Sequence, residues 1–121
     1  MADGKYHRVI IALGSNRRQC VNIGWASQRL TTLLRDTLFS RIIWTKDVNG
    51  KGLMYQNRLV SGRTTLPVEE LEQQLKAIEA ELHRQGQEVT IDLDLMEYDS
   101  VRYHLRDWSR PYIQLLIDEI K

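Results

Sequence analysis

The sequence predicts an α+β fold in which one antiparallel sheet carries two helices on one face and is followed by a C-terminal helix. Segments with strand and helix character alternate in the order β-α-β-β-α-β along the 121 residues, and each has the periodicity of its type. This order is that of a split βαβ, or ferredoxin-like, sheet. The composition, 42% hydrophobic and 27% charged residues, is typical of one globular domain. We therefore expect a single domain over residues 1–121.

The first strand and the first helix follow from the run of apolar residues near the N-terminus. Residues 8–13 are almost continuously apolar and end at Gly14, a pattern typical of a central strand that is buried on both faces. Apolar residues then recur at helical spacing from Asn22, a possible N-cap, to Leu34, which indicates a helix.

Two strands are expected in the middle of the chain. Residues 39–45 are rich in β-branched and aromatic side chains, and the polar, glycine-containing segment 46–52 follows them. Strand character resumes at residues 55–60. This pattern predicts two strands joined by a loop.

The second half of the chain is expected to supply the second helix, the last strand and the tail helix. Pro67 suits a first helical turn, and an apolar stripe at helical spacing follows within residues 68–82, which predicts a helix. Residues 90–95 alternate as a strand does. Ser109 to Pro111 is a helix-start signal before a final apolar stripe.

The strand 90–95, with the sequence TIDLDL, carries the most informative pattern. A period of two sends Asp92 and Asp94 to one face of the sheet and the intervening apolar residues to the other. Their Cα atoms would lie roughly 6.5–7 Å apart, close enough for the carboxylates to bind one divalent cation or a pair. The alternative is a solvated strand face that happens to be acidic, and the hexapeptide alone does not decide between them.

Charge and cysteine content exclude several classes of function. The net charge of +1, from 17 basic and 16 acidic residues, gives no basic field for nucleic acid or a membrane surface. Cys20 is the only cysteine, so no intramolecular disulfide can form. With no apolar leader or membrane-spanning run, we expect a cytoplasmic protein. Neither a glycine-rich phosphate loop nor zinc-ligand spacing is present.

Four motifs in this order resemble the 6-hydroxymethyl-7,8-dihydropterin pyrophosphokinase (HPPK) family. They are IALGSN at residues 11–16, YQN at 55–57, IE at 78–79 and TIDLDL at 90–95. The resemblance covers most of the chain. It implies a folate-pathway enzyme, a 2-amino-4-hydroxy-6-hydroxymethyldihydropteridine diphosphokinase, with a ferredoxin-like core. Such an enzyme transfers pyrophosphate from ATP to the hydroxymethyl group of a reduced pterin.

The resemblance also implies a metal and phosphate site. Asp92 and Asp94 would hold two Mg²⁺ ions against the phosphates of ATP, a role that suits carboxylate oxygens. His104 and Arg110 are six residues apart, as are the phosphate-contacting histidine and arginine of the family. Arg110 can bind a phosphate bidentately and remains charged, so it joins the aspartates as a catalytic candidate. For His104, a surface position without function is an equal alternative.

A pterin is flat with an amide-like edge, so it needs a stacking ring and side chains that both donate and accept hydrogen bonds. Tyr55 and Asn57 fit by type and by position in the family, and both would project from one face of their strand. Tyr112 matches the position of a second ring, and Thr45 begins the pterin-contacting loop. A packing role in the core is the alternative for both tyrosines.

The chain departs from the family pattern around the nucleotide. Glu79 and Arg84 match family positions near ATP, although Glu79 could simply be solvated. Residues 83–89 replace a longer, arginine- and tryptophan-bearing segment that closes over ATP in the family. The closing segment is therefore shorter and less cationic. Arg102 and Arg106 are candidates to compensate, with a solvated position as the alternative.

Three hypotheses follow. The first is a minimal HPPK that acts on ATP and a reduced pterin, small molecules rather than nucleic acid or membrane. The second is a weakened or non-catalytic relative that binds a pterin-like heterocycle or a nucleotide. The third is a ferredoxin-like interaction module whose aspartates are only solvated. The sequence leaves the oligomeric state open.

Overall fold

A computed structural model describes residues 5–46, 54–82 and 90–121. These residues form six strands, four α-helices and a final 3-10 turn. The strands are β1 (His7–Ser15), β2 (Arg35–Phe39), β3 (Ile43–Lys46), β4 (Met54–Thr64), β5 (Asp92–Tyr98) and β6 (Val101–Arg102). The helices are α1 (Gln19–Leu33), α2 (Val68–Glu81), α3 (Leu105–Trp108) and α4 (Pro111–Leu116), and the 3-10 turn is Ile117–Ile120.

The strands form one antiparallel sheet in the order β2-β4-β1-β5-β6, and β3 also pairs with β4. The first strand therefore lies between β4, which precedes α2 in the chain, and β5, which follows α2. This arrangement confirms the predicted α+β, ferredoxin-like fold. No helix within the described ranges combines the length and apolarity needed to cross a membrane.

The two long helices cover one face of the sheet. Alternate residues of β1 and β5 pack there with the apolar stripes of α1 and α2, as their periods require. The buried cluster includes Val9, Ile11, Leu13, Ile23, Leu30, Leu71, Leu75, Ile78, Ile91, Leu93 and Leu95. The apolar side of the TIDLDL strand thus faces this core, as predicted.

The C-terminal segment covers the opposite face. The intervening residues of β1, together with one residue each from β4 and β5, pack against α3, α4 and the 3-10 turn. This second cluster contains Ile10, Ala12, Leu59, Met96, Trp108, Ile113, Leu116 and Ile120. The indole Nε1 of Trp108 donates to the carbonyl oxygens of Met96, at 3.2 Å, and of Tyr103, at 3.0 Å. Strand β1 is therefore buried on both faces, and the tail helix is fixed to the sheet.

The first helix begins earlier than predicted. Asn22 is not its N-cap, because Arg18 adopts a left-handed conformation with φ of 48° and the helix starts at Gln19. The side-chain nitrogen of Asn22 instead donates to the carbonyl oxygens of Arg17, at 2.6 Å, and of Thr90, at 3.0 Å. Asn22 therefore ties the helix to the residues that lead into β5.

The single strand predicted for residues 39–45 is wrong, because that stretch is divided between β2 and β3. Both strands pair with β4, and the division falls at Ser40. The Ser40 hydroxyl accepts a hydrogen bond from the Leu59 amide at 2.9 Å, while the Ser40 amide donates to the Leu59 carbonyl at 2.9 Å. A side-chain oxygen thus takes the place of a backbone acceptor, and the ladder is interrupted without a lost hydrogen bond.

Candidate active site

A cavity of about 200 Å³ opens on the sheet face that carries the C-terminal helices. Seven of the predicted site residues line it: Thr45, Tyr55, Asn57, Asp92, Asp94, Arg110 and Tyr112. They come from β3, β4, β5 and the segment that begins α4, which are far apart in the sequence. The fold therefore brings the predicted metal ligands and the predicted pterin ligands to one place.

The register of the sheet places the polar residues in a row. Gly14 of β1 is the cross-strand partner of Asp92 on one side and of Asn57 on the other. Two residues earlier on β1, Ala12 is the cross-strand partner of Asp94 on one side and of Leu59 on the other. Directly opposite residues of an antiparallel pair point to the same face. The acidic strand and the Asn57 amide therefore flank Gly14, on the face opposite α1 and α2.

Gly14 makes room for the side chains beside it. A Cβ at this position would lie 3.3 Å from Asn57 Oδ1 and 3.8 Å from Tyr55 Cδ2. Asn57 Nδ2 donates to Thr45 Oγ1 at 2.5 Å, which fixes the amide with its oxygen towards Gly14. The result is an oriented amide next to an aromatic ring, the chemistry that a flat heterocycle with an amide-like edge requires.

The acidic pair is electrostatically strained without a cation. Burial raises the pKa of Asp94 to about 7, and the charge of Asp92, a hydrogen bond with its side chain and the charges of Glu79 and Asp107 act in the same direction. Two carboxylates held this close cannot both ionise without cost. A divalent cation relieves that repulsion, so the donor set fits a hard metal ion.

A two-carboxylate site suits Mg²⁺ better than a metal that needs a full set of protein ligands. Across the ranges that the structure describes, no three His, Cys, Asp or Glu side chains form a metal-binding group. Mg²⁺ keeps several waters and is commonly held by one or two carboxylates together with substrate phosphates. Asp92 and Asp94 meet that requirement.

Two charged residues of the cavity, Asp107 and Lys46, were not predicted from the sequence. The Asp107 carboxylate lines the cavity and accepts a hydrogen bond from Arg110 Nε, with 2.7 Å between Nε and Oδ1. The separation of three residues was the available signal, because such pairs are neighbours wherever the chain forms a helical turn. Lys46 lines the cavity from the end of β3.

Tyr112 contributes to both the cavity and the core. It packs against the cluster under the C-terminal helices and lines the cavity, so the two roles weighed for it are compatible. Burial raises its pKa to about 12, and the charge of Asp107 adds to the effect while that of Arg110 opposes it. The hydroxyl therefore stays protonated at physiological pH.

A second cavity, of about 150 Å³, lies beside β5 and shares Asp92 and Asp94 with the first. Glu79 and His104 line it. Glu79 is buried, and its Oε2 accepts a hydrogen bond from the Leu93 amide at 2.7 Å, so it is not the solvated side chain that the alternative required. His104 is exposed and has a positive φ of 52°.

Three arginines, Arg84, Arg102 and Arg106, were considered as cations for the nucleotide, and the structure treats each differently. Arg84 and the shortened segment 83–89 lie outside the described residues, as does the loop 47–53. Arg102 stacks on the ring of Trp108 at 4.0 Å and lies 3.6 Å from the Glu97 carboxylate. It therefore packs on the C-terminal segment. Arg106 is exposed and lines neither of the two cavities.

Fold and site together define a class: an α+β domain in which a two-carboxylate site adjoins an amide and aromatic slot. Such a site can bring an anionic, metal-bound co-substrate to a flat heterocycle.

Residues 10–121 match the family model described as 7,8-dihydro-6-hydroxymethylpterin-pyrophosphokinase (HPPK), and the chain belongs to this family. At the family level, this membership supports a pyrophosphokinase function in folate biosynthesis, with ATP and a pterin as small-molecule substrates and Mg²⁺ as the metal. A search of individual curated proteins gave no match.

Proposed function

We propose that this chain transfers pyrophosphate from ATP to 6-hydroxymethyl-7,8-dihydropterin, using two Mg²⁺ ions. The observation that supports this most is the shared cavity. Asp92 and Asp94 line it together with Asn57 and the two tyrosines, Tyr55 and Tyr112. The proposed metal and phosphate site would thus adjoin the proposed heterocycle site, as a transfer between these two substrates demands. The proposal includes the cytoplasmic location expected from the sequence.

The reaction joins the two substrates at the β-phosphorus of ATP. The hydroxymethyl oxygen of the pterin forms a bond to the β-phosphorus, and the bond from that phosphorus to the oxygen bridging the α-phosphorus breaks. AMP leaves with the bridging oxygen, and the hydroxyl proton is released. Phosphoryl transfer of this type needs alignment of the reactants and stabilisation of charge rather than a covalent protein intermediate.

Asp92 and Asp94 would hold the metal. When bound, Mg²⁺ neutralises charge on the phosphate oxygens of ATP. The backbone that carries both carboxylates is fixed, because β5 pairs with β1 along this stretch. Glu79 fixes the same strand from the other side through the Leu93 amide.

The pterin would occupy the slot next to Gly14. Asn57, held by Thr45, offers its Oδ1 and its remaining N–H to the amide-like edge of the heterocycle. Tyr55 and Tyr112 supply rings for stacking. Because the hydrogen bond to Thr45 fixes the Asn57 amide, the slot would be preorganised for one orientation of the ligand.

The nucleotide would occupy the second cavity, with Glu79 and His104. Because Asp92 and Asp94 line both cavities, phosphates extending from a nucleotide there would reach the acidic pair and then the pterin slot. Arg110 lines the first cavity and would meet them as a cation. Arg84 keeps its proposed role at the nucleotide on the family resemblance alone.

A weakened relative that binds these ligands without turnover is the second candidate. It is favoured by the short segment 83–89, which contains one arginine where the family has a longer cationic segment. Calorimetry with α,β-methylene-ATP and Mg²⁺, combined with an assay of AMP release, distinguishes the two. A binding-only relative takes up the analogue yet releases no AMP when given ATP and the pterin.

Release of AMP from ATP in the presence of the reduced pterin tests the proposal. We expect Asp92→Ala and Asp94→Ala to lower the rate by about 100-fold or more, because each removes a metal carboxylate. Asp118→Ala is the matched control, since Asp118 is an exposed aspartate paired with Lys121. Aspartate variants that release AMP as fast as this control would contradict the proposed site.

A further inference from the structure

We infer that Asp107 is a positioning residue, which holds Arg110 through Nε so that the outer edge of the guanidinium is presented to a phosphate. This inference rests on the proposed function, since it concerns the same cavity. It assigns a role to a third carboxylate that neither the motifs nor the metal site accounts for.

The segment that carries both residues is fixed by its own backbone. The Asp107 amide donates to the His104 carbonyl at 2.8 Å, and the Arg110 amide donates to the Asp107 carbonyl at 3.0 Å. Arg110 is the N-cap residue of α4, and its carbonyl accepts from the Ile113 amide at 3.1 Å. The two side chains are thus attached to a closed turn with little conformational freedom.

Trp108, between them, anchors that turn to the sheet. Its side chain is buried under the C-terminal helices and its indole N–H is hydrogen bonded to backbone oxygens. The Trp108 carbonyl accepts from Gln114 Nε2 at 2.6 Å. An anchored tryptophan fixes where the neighbouring side chains emerge, and Asp107 and Arg110 both emerge at the cavity.

The geometry of the ion pair leaves part of the guanidinium available. Asp107 Oδ1 binds Nε of Arg110, and among residues 5–46, 54–82 and 90–121 no other hydrogen bond or ion pair of this side chain is present. A guanidinium offers two edges, one formed by Nε with a terminal nitrogen and one by the two terminal nitrogens. With Nε held by Asp107, the edge of the two terminal nitrogens remains for bidentate phosphate binding.

A positioning role for Asp107 and a purely electrostatic role predict opposite effects of its removal on nucleotide binding. The cavity already contains Asp92 and Asp94, so a further carboxylate repels a phosphate. If Asp107 acted only through its charge, removing it would strengthen nucleotide binding. If it positions Arg110, removing it weakens binding despite the lost repulsion, because the long arginine side chain must then be ordered by the ligand itself.

The test is a double-mutant cycle read by calorimetry with α,β-methylene-ATP and Mg²⁺. We expect Asp107→Ala to weaken binding about tenfold, the scale of one charge-assisted hydrogen bond. Asp107→Asn keeps an oxygen at the Oδ1 position and should restore most of the affinity. In an Arg110→Ala background, Asp107→Ala should cause no further weakening, because the residue it positions is gone.

The control is Asp118→Ala. Asp118 also pairs with a cation three residues away, Lys121 at 3.2 Å, but lies on the surface, so its removal should leave the affinity unchanged. Tighter binding by Asp107→Ala would overturn the inference in favour of a charge brake. Equal weakening in the wild-type and Arg110→Ala backgrounds would overturn it as well, because Asp107 would then act independently of Arg110.

The experiments distinguish failure of the positioning role of Asp107 from failure of the proposed pyrophosphate transfer. Wild-type protein that binds the analogue but releases no AMP would refute the reaction and leave the positioning role standing if the cycle behaves as expected. Wild-type protein that releases AMP while Asp107→Ala binds like the wild type would refute the positioning role alone. Absence of analogue binding by the wild type would refute both.

Discussion

Replacing Asp94 by asparagine measures how much the acidic pair costs the folded protein when no cation is bound. Burial, with the adjacent charge of Asp92, raises the pKa of Asp94 to about 7 from its ordinary value of 3.8. A carboxyl group whose pKa is raised on folding stabilises the fold while protonated. That stability is complete below the unfolded pKa and is lost as the pH rises through the folded pKa.

The size of the effect follows from the two pKa values. At about 1.36 kcal/mol per pKa unit, a rise from 3.8 to about 7 corresponds to a loss of up to about 4 kcal/mol of stability between pH 4 and pH 8. Asparagine has nearly the same shape and does not titrate. We therefore expect Asp94→Asn to match the wild type near pH 4 and to exceed it in stability by up to this amount at pH 8.

Urea unfolding in the presence of EDTA, at several pH values, is the assay. Asp118→Asn, at an exposed position paired with Lys121, should show no such pH-dependent gain. Added Mg²⁺ should then stabilise the wild type and not Asp94→Asn, because a ligand stabilises only the state that binds it. A stability difference between Asp94→Asn and the wild type that is the same at pH 4 and pH 8 would refute the electrostatic account of the pair.

Three further predictions concern the slot, the divided strand and the acid limb of stability. Gly14→Ala should raise the pterin KM about three- to tenfold, because its Cβ would lie 3.3 Å from Asn57 Oδ1 and displace the amide; an unchanged pterin KM would contradict this. Ser40→Ala should lower the unfolding free energy by about 1–3 kcal/mol in urea titrations, since it leaves the buried Leu59 amide without its acceptor; an unchanged midpoint would be inconsistent with it. A hydrogen bond with His7 lowers the pKa of Asp99. The contribution of this bond to the stability of the fold is therefore present above the unfolded-state pKa and is lost as the pH falls through the folded-state pKa. Acid unfolding of Asp99→Asn should therefore be less steep, and an identical acid limb would show that the bond adds no stability.

The sequence predicted the fold well where periodicity acts alone. The helical stripe of α2 and the alternation of β5 each place their apolar side chains on a definite face, and the sheet buries both as expected. The same alternation put Asp92 and Asp94 on one face, and the cavity there is lined by seven of the predicted site residues. The roles assigned to those residues stay predictions, as does the single domain over residues 1–121.

Most of the features that were missed depend on contacts between segments far apart in sequence, and one depends on a local backbone conformation. The start of α1 is set by a left-handed residue, Arg18, and Asn22 is used for a link to Thr90. The break between β2 and β3 depends on a hydroxyl of Ser40 that bonds a strand almost twenty residues away. The position of Asp107 in the site becomes visible only when the C-terminal segment docks on the sheet. Apart from the three-residue spacing of Asp107 and Arg110, these features leave no periodic signal in the sequence.

Phosphorus NMR of the products, formed from ATP and 6-hydroxymethyl-7,8-dihydropterin with Mg²⁺, tests the central claim most directly. The account predicts AMP and a pterin diphosphate in equal amounts, since the β-phosphorus is attacked and the α-phosphate leaves. We also expect Asp92→Ala and Asp94→Ala to slow the formation of both products together, by about 100-fold or more. Formation of ADP with a pterin monophosphate, or unaltered product formation by the aspartate variants, would contradict it.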